Sequence, residues 1–289
     1  MITPRTGVSR VKISRLADGN LVERRDVVAV EEPLEIRVEF TRNGARETVS
    51  VSVTMRTPGN DFELAAGFLY GEGLLRLRKD LSEISYCQGD EPQAYNIVLV
   101  KLRPEAFFDP DALSRNFYVS SSCGVCGKAS LEAVEIRGCE KIPDEGLCLD
   151  PSVLSGLPEK LRARQGLFDR TGGIHAAGRF DEHGELVSVH EDVGRHNAVD
   201  KVVGEAFLAG ELPLGRTVLA VSGRTSFEIM QKALAAGIPL VVAVGAPSSL
   251  AVDIARHFNM TLLGFTRSEG FNVYAGAERI AKPAVVPGE

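Results

Sequence analysis

The sequence predicts an α/β protein: a smaller β-rich α+β part, then a larger part in which helices and strands alternate. Three observations carry that reading. Segments of strand composition cluster before about residue 115. From about residue 129 short apolar runs alternate with helix-start signals. Between them lies a connector marked by Pro104 and Pro110 and then a serine- and glycine-rich stretch. The expected division is residues 1–115, a loop over 116–128, and residues 129–289. A chain of 289 residues with 44% hydrophobic and 25% charged content can bury a core of that size.

In chain order, Val27-Val28-Ala29-Val30, Leu34-Glu35-Ile36-Arg37-Val38, Thr48 to Val53 and Ile97 to Val100 read as strands, the third alternating at period two. Asn43-Gly44 is a hairpin-turn dipeptide. Arg56-Thr57-Pro58-Gly59-Asn60 is a turn feeding a helix, with Asn60 the expected N-cap, Glu63 three positions on, and Leu64, Phe68 and Leu69 its buried stripe. Asp181-Glu182-His183-Gly184 is a turn before a strand at Leu186 to Val189. Glu191-Asp192-Val193-Gly194-Arg195-His196-Asn197-Ala198-Val199-Asp200-Lys201 runs into a helix with Val199, Val202, Val203, Ala206 and Phe207 on its apolar side. A strand at Thr217 to Val221 ends at Ser222-Gly223-Arg224. Thr225-Ser226-Phe227-Glu228 has capping-box spacing, and Gly237 sits where that helix should stop. Ile238 to Val244 is a buried strand, Ala246-Pro247-Ser248-Ser249 starts a helix to about Phe258, and Thr261 to Phe265 is the last expected strand. Alternation of this kind implies a parallel or mixed sheet covered by helices.

Composition excludes several classes. Net charge is -6 with no block of lysine or arginine, so nucleic acid is not an expected partner. No apolar run approaches the ~18–20 residues of a membrane span, so no membrane association is expected. Met1 to Arg10 lacks an apolar stretch of the signal-peptide kind, and five cysteines are an odd number. A reducing cytoplasm is therefore the expected compartment. The absence of tryptophan weakens a reading built on aromatic stacking platforms.

Cys123-Gly124-Val125-Cys126, within Ser120-Ser121-Ser122 and Gly127-Lys128, is the stretch richest in chemistry. Small neighbours and a following lysine describe accessible, activated thiols. The spacing serves half a zinc site, a dithiol couple, or a sulfur relay. Zinc fits poorly, because Cys139 and Cys148 are not a second tight pair. A deaminase-type zinc would need a His-x-Glu ahead of a Pro-Cys-x-x-Cys, whereas His183-Gly184-Glu185 comes after the cysteines and no proline precedes Cys123. A thioredoxin-like couple would follow a strand, for which Asn116 to Val119 serves, but the βαβ pattern lies much later. A persulfide carrier needs a lowered thiol pKa and an open loop. Sequence alone does not separate that carrier from the dithiol couple.

Taken together, the motifs resemble the FdhD family, the formate dehydrogenase accessory sulfurtransferases. The resemblance runs through Arg56-Thr57-Pro58-Gly59 with Glu63 to Leu69, Ser122 to Gly127, Thr171-Gly172-Gly173-Ile174-His175-Ala176-Ala177, Glu191 to Lys201, Ser222-Gly223-Arg224 and Ala246-Pro247-Ser248-Ser249. It implies a protein that takes sulfur from a cysteine desulfurase. The sulfur passes to a molybdenum (or tungsten) bis-guanine-dinucleotide cofactor before that cofactor enters formate dehydrogenase. It also implies a homodimer, a C-terminal part of cytidine-deaminase-like fold without zinc, Cys123 as the persulfide cysteine and Cys126 as its partner. The family's cofactor-binding segment maps onto Phe265-Thr266-Arg267-Ser268-Glu269-Gly270.

A cargo with two pyrophosphates and two guanines calls for helix N-termini, glycine turns and guanidinium groups. Ser222-Gly223-Arg224, Thr171-Gly172-Gly173 and Arg267 answer that description, with Arg224 or Arg267 expected to pair with a phosphate. A tight turn needing positive φ explains Thr171-Gly172-Gly173 equally well. His175 and His196 are candidate proton shuttles or ordinary structural histidines. Glu191 and Asp192 are candidate readers of guanine N–H groups, and Asp192, Arg195, Asp200 and Lys201 otherwise read as helix ion pairs. The rival readings are a cofactor-binding chaperone without sulfur chemistry, a CxxC redox or zinc protein, and a nucleotide deaminase.

Overall fold

The structure is a computed structural model describing residues 7–87, 95–110, 139–144 and 147–282. Cys123, Cys126 and the 116–128 loop lie outside the described residues.

An antiparallel ribbon opens the chain, β1 (Val8–Ala17) with β2 (Asn20–Ala29). A four-stranded sheet follows, ordered β4-β3-β6-β5, from β3 (Glu32–Arg42), β4 (Ala45–Arg56), β5 (Leu81–Tyr86) and β6 (Ile97–Leu102). The Asn43-Gly44 turn joins β3 to β4 with both residues at positive φ, 53° and 79°, as a two-residue hairpin requires. Leu34, Ile36, Val38 and Phe40 alternate inward and pack under α1 (Asp61–Gly71). That helix starts where expected, with Asn60 at the N-cap position, but the capping chemistry differs. Asn60 has φ 56° and makes no side-chain cap, and it is the neighbouring Asp61 that accepts from Gly59 N. Leu64 and Leu69 are buried as expected, but Ala65, Ala66 and Gly67 are buried too, and Phe68 only partly.

The larger part is a six-stranded sheet ordered β12-β11-β10-β9-β7-β8. Its strands are β7 (His175–Phe180), β8 (Leu186–Asp192), β9 (Val218–Val221), β10 (Leu240–Ala243), β11 (Thr261–Arg267) and β12 (Gly270–Ala275). The three central strands β9, β10 and β11 run parallel, and the flanking strands are antiparallel. Both faces are covered, which is why these strands read as unbroken apolar runs. Val218, Ala220, Leu240 and Val242 face Leu154, Leu157 and Leu161 of α2 (Pro151–Arg162). Leu219, Val221, Val241 and Ala243 face α4 (Arg195–Ala209), α5 (Phe227–Ala235) and α6 (Ser249–His257). A short helix, α3 (Gly166–Thr171), leads into β7.

Two details of this sheet and its helices depart from the sequence reading. Thr261–Arg267 is not the last strand, because a bulged turn returns the chain as β12. No capping box forms at α5: its N-cap is Ser226, whose hydroxyl serves His196 instead. Gly237 does close the helix at φ 73°, and Ser248 does cap α6 through Ala251 N.

The two parts meet where α1 crosses α4. A Cβ on Gly67 would lie 1.9 Å from the carbonyl oxygen of Asp200, and one on Gly204 would lie 1.8 Å from that of Glu63. Backbone therefore rests on backbone, a contact only glycine permits.

Candidate functional site

Two polar clusters flank that crossing. The first is a seam between the parts. Asp192 is 0% exposed and Lys201 2% exposed, with Nζ and Oδ2 2.7 Å apart. Burying two charges is costly unless every oxygen finds a donor. Here Oδ2 also accepts from Thr57 N (3.1 Å), and Oδ1 accepts from Gly194 N (2.8 Å) and Asn197 Nδ2 (3.0 Å). Lys201 donates in addition to the carbonyls of Thr57 and Glu191. Asn197 also donates to Met55 O, so Met55, Thr57 and this network tie β4 to α4. Nearby, Arg56 forks onto Asp61 at 3.0 and 2.8 Å, and Tyr86 donates its hydroxyl to the same carboxylate at 3.1 Å. Lys232 meets Asp200 at 2.7 Å. Burial raises the Asp200 carboxyl to about 6 against the pull of Lys232.

These are interior pairs, not the surface helix pairs expected from spacing. Asp192 has no lone pair left for a guanine edge. Glu191 is engaged as well, accepting from Leu167 N and Phe168 N at 2.8 Å each and thereby capping α3.

The second cluster is a crevice of about 720 Å³ outside the carboxyl ends of the parallel strands. Ser222 follows β9, Val244 follows β10, and Thr266 and Arg267 end β11. Because β7 is antiparallel to β9, its first residue, His175, reaches the same edge. The opposite wall is the end of α2 and the turn around α3. Ligands of open α/β sheets bind in this position, since strand ends there present backbone polar groups and the loops diverge.

The crevice assembles Gly172, Gly173, His175, Ser222, Thr266, Arg267, Ser268 and Glu269 from three separated segments. Gly172 has φ 65°, so the tight-turn explanation of Thr171-Gly172-Gly173 holds beside its place in the wall. Thr171 itself turns away, donating its hydroxyl to Leu167 O. Gly223 packs beside His175, where a Cβ would come within 3.3 Å of Nδ1. Arg224 is exposed and does not line the crevice; nor does Gly270. Phe265 sits outside it too, 49% exposed in the left-handed region at φ 53°. Arg267 is exposed at the crevice rim, with Nη1 donating to the carbonyls of Val244 and Thr266 at 3.0 Å each.

Burial, reinforced by the charge of Arg195, lowers the His175 pKa. His196 donates to or accepts from Ser226 Oγ at 2.9 Å, and burial brings it down to about 4 despite Glu228. A group so far from neutrality is a poor proton shuttle near pH 7.

Sequence reasoning missed Glu159, Arg162, Gln165 and Phe168, which complete the crevice. No motif marks them. Arg162-Ala163-Arg164-Gln165 reads as an ordinary polar helix end, and only the fold brings it opposite β11.

A sheet layered between helices, with a polar crevice at its parallel strand ends, defines an α/β protein with its crevice where such folds hold ligands. Comparison with known proteins identifies which. Residues 29–281 match the FdhD/NarQ family, and the chain belongs to it. It is 53% identical over 281 residues to the sulfur carrier protein FdhD of Streptomyces coelicolor, covering 96% of this chain and 97% of the relative. The sulfur carrier protein FdhD of Sulfolobus acidocaldarius is 43% identical over 94% of this chain and 98% of its own. Among solved structures, a chain provisionally described as a formate dehydrogenase accessory protein from Desulfotalea psychrophila superimposes with a TM-score of 0.72 at 26% identity, covering 95% of this chain and 100% of that one. Among the described residues, no helix is long and apolar enough to cross a membrane.

Proposed function

We infer that this chain is a sulfur carrier that serves formate dehydrogenase as an accessory protein. The observation that carries the reading is near-full-length identity, 53% over 96% of the chain, to a sulfur carrier protein FdhD. The sulfurtransferase step begins at Cys123. Its thiolate attacks the outer sulfur of a donor persulfide held by a cysteine desulfurase. A new S–S bond forms on Cys123, and the donor cysteine leaves as thiolate, so the exchange needs no external oxidant or reductant. Cys126 is the partner thiol, and the positive charge of Lys128, five positions along the sequence from Cys123, favours the thiolate.

The sulfur's destination is a molybdenum or tungsten bis-guanine-dinucleotide cofactor, bound as cargo and destined for the formate dehydrogenase apoenzyme. The crevice suits one arm of that cargo. Its volume falls in the range of small-molecule pockets, about 300–1,000 Å³. Arg267, the Gly172-Gly173 turn and Ser222 offer donors to a pyrophosphate. A two-armed cargo needs two such crevices, which a cytoplasmic homodimer supplies. Phe265 and Arg224 lie beyond the wall, where they reach only the outer parts of a bound cofactor.

Peptide mass spectrometry after incubation with a cysteine desulfurase and cysteine tests the sulfur step. A reducible gain of one sulfur on the Cys123 peptide, lost in Cys123→Ala, is the expected result. A Cys123→Ala protein that still activates formate dehydrogenase would instead make the chain a cofactor chaperone.

A further inference from the structure

The β1–β2 ribbon is an arm. Its base is tied to the body, where Val30 N donates to Gly7 O at 3.0 Å and Gly7 packs against Thr57 and Leu167. Beyond that base, every residue from Ser14 through Asp26 is exposed. A two-stranded ribbon with neither face buried is marginal in water on its own. Its tip is also apolar. Leu16 and Leu21 stand directly across from each other on one face, 68% and 73% exposed, and Val22 on the other face is 55% exposed. Single apolar side chains on a surface need no explanation, but a cross-strand leucine pair at the end of an arm is a contact surface.

The body carries a matching face. The four-stranded sheet buries Leu34, Ile36, Val38 and Phe40 under α1, and the alternate residues point the other way. On that outer face Val53 is 64% and Met55 47% exposed, and Glu35 separates Val53 from the half-buried Ile97. The charges of the face are paired within it: Glu35 with Arg37 at 2.8 Å, Glu39 with Arg46 at 2.6 Å and Glu83 with Lys101 at 2.9 Å. The apolar strip is what they leave unanswered.

Charge and size indicate what meets that strip. The ribbon holds five basic residues (Arg10, Lys12, Arg15, Arg24 and Arg25) against three acidic ones, in a chain of net charge -6. The arm is therefore positive and the rest of the chain strongly negative, so the arm of one copy is attracted to the body of another. Ten residues per strand, at about 3.3 Å each and with strands about 4.8 Å apart, give the arm a face of roughly 300 Å². Two reciprocal contacts then bury about 1,200 Å² in all, the lower end of standard stable interfaces.

We propose that two copies of this chain exchange arms, the Leu16–Leu21 tip of each lying on the Val53–Met55 strip of the other. This rests on the homodimer reading above and names its surface. A two-fold exchange covers both exposed features in both copies, whereas a foreign partner on the arm would leave the strip bare.

Sedimentation equilibrium of the full chain tests it, with thermal melting of each variant as the folding check. Wild type should sediment as a dimer. Leu16→Ser with Leu21→Ser, and separately Val53→Ser with Met55→Ser, should each raise the dimer dissociation constant by about 100-fold or more at unchanged melting temperature. Mixing the two double variants should restore part of the association, because one contact then has both its intact arm and its intact face. A wild-type dimer that either double variant leaves unchanged, or a mixture that stays monomeric, would overturn the arm exchange and leave the homodimer standing. A monomeric wild type would overturn the homodimer reading, and the exchange with it.

Discussion

In the seam, Asp192 is fully buried and both its oxygens are doubly engaged, Oδ1 by two hydrogen bonds and Oδ2 by one hydrogen bond and the Lys201 ion pair; in the crevice, Thr266 is as deeply buried and its hydroxyl has no partner. Both regions draw on segments that the sequence marks as motifs. The difference separates residues that hold the molecule together from residues that wait for something else. In the seam, removing a partner strands a charge. In the crevice, removing a polar atom relieves a group already stranded.

Four substitutions break or sharpen this contrast. The largest effect belongs to Gly204→Ala. Its methyl group would overlap the carbonyl of Glu63, and α1 and α4 can only separate. A loss of more than about 4 kcal/mol is expected, read as a collapse of the denaturation midpoint. Next comes Asp192→Ala, which leaves the Lys201 ammonium buried without its counter-charge. A cost of about 3–5 kcal/mol follows, and an unchanged midpoint in urea would show that the seam is not held by charge.

Smaller is the pH effect of His196. Its folded pKa, about 4, lies below the ordinary value of 6.5, so the folded state binds fewer protons than the unfolded chain between those values. Its contribution is complete above pH 6.5 and is lost as pH falls through 4. With a ring about one-third exposed, the discounted size is about 1–2 kcal/mol. His196→Gln should flatten the stability curve over that window. Asp200, raised to about 6, slopes the other way and weakens the fold as pH climbs from about 4 to 6, so the variant should expose that opposing slope. The smallest stability change belongs to Thr266→Val, an isosteric exchange of an unpartnered hydroxyl. It should hold or raise stability by up to about 1 kcal/mol while weakening GDP binding. A loss of stability there would place Thr266 with the seam.

Much of the fold was legible because burial on both sides of a sheet leaves a direct trace: Val218 to Val221 and Leu240 to Ala243 are unbroken apolar runs at the positions expected. β12 was not, since Gly270 to Ala275 is half-exposed and carries no such run. Capping chemistry failed at Asn60 and in the Thr225–Glu228 segment for two reasons. Side chains able to cap a helix locally were recruited by tertiary partners, or bypassed by a backbone in the left-handed region. Within the site, the glycine turn at Gly172 was visible as a motif, whereas Thr266 and Arg267 came only from the family resemblance. Gln165 was not visible, because an amide near a helix end looks like a solvent-facing residue until the strands across from it are known.

The glycine crossing of α1 on α4 also bears on inheritance. Gly67 and Gly204 are 137 positions apart, in the two parts of the chain, and neither tolerates a side chain while the other helix keeps its distance. A chimera that takes residues before the connector from one relative and residues after it from another must match this crossing as one unit. The two halves of the molecule are thus constrained to change together, even though each has a hydrophobic core of its own.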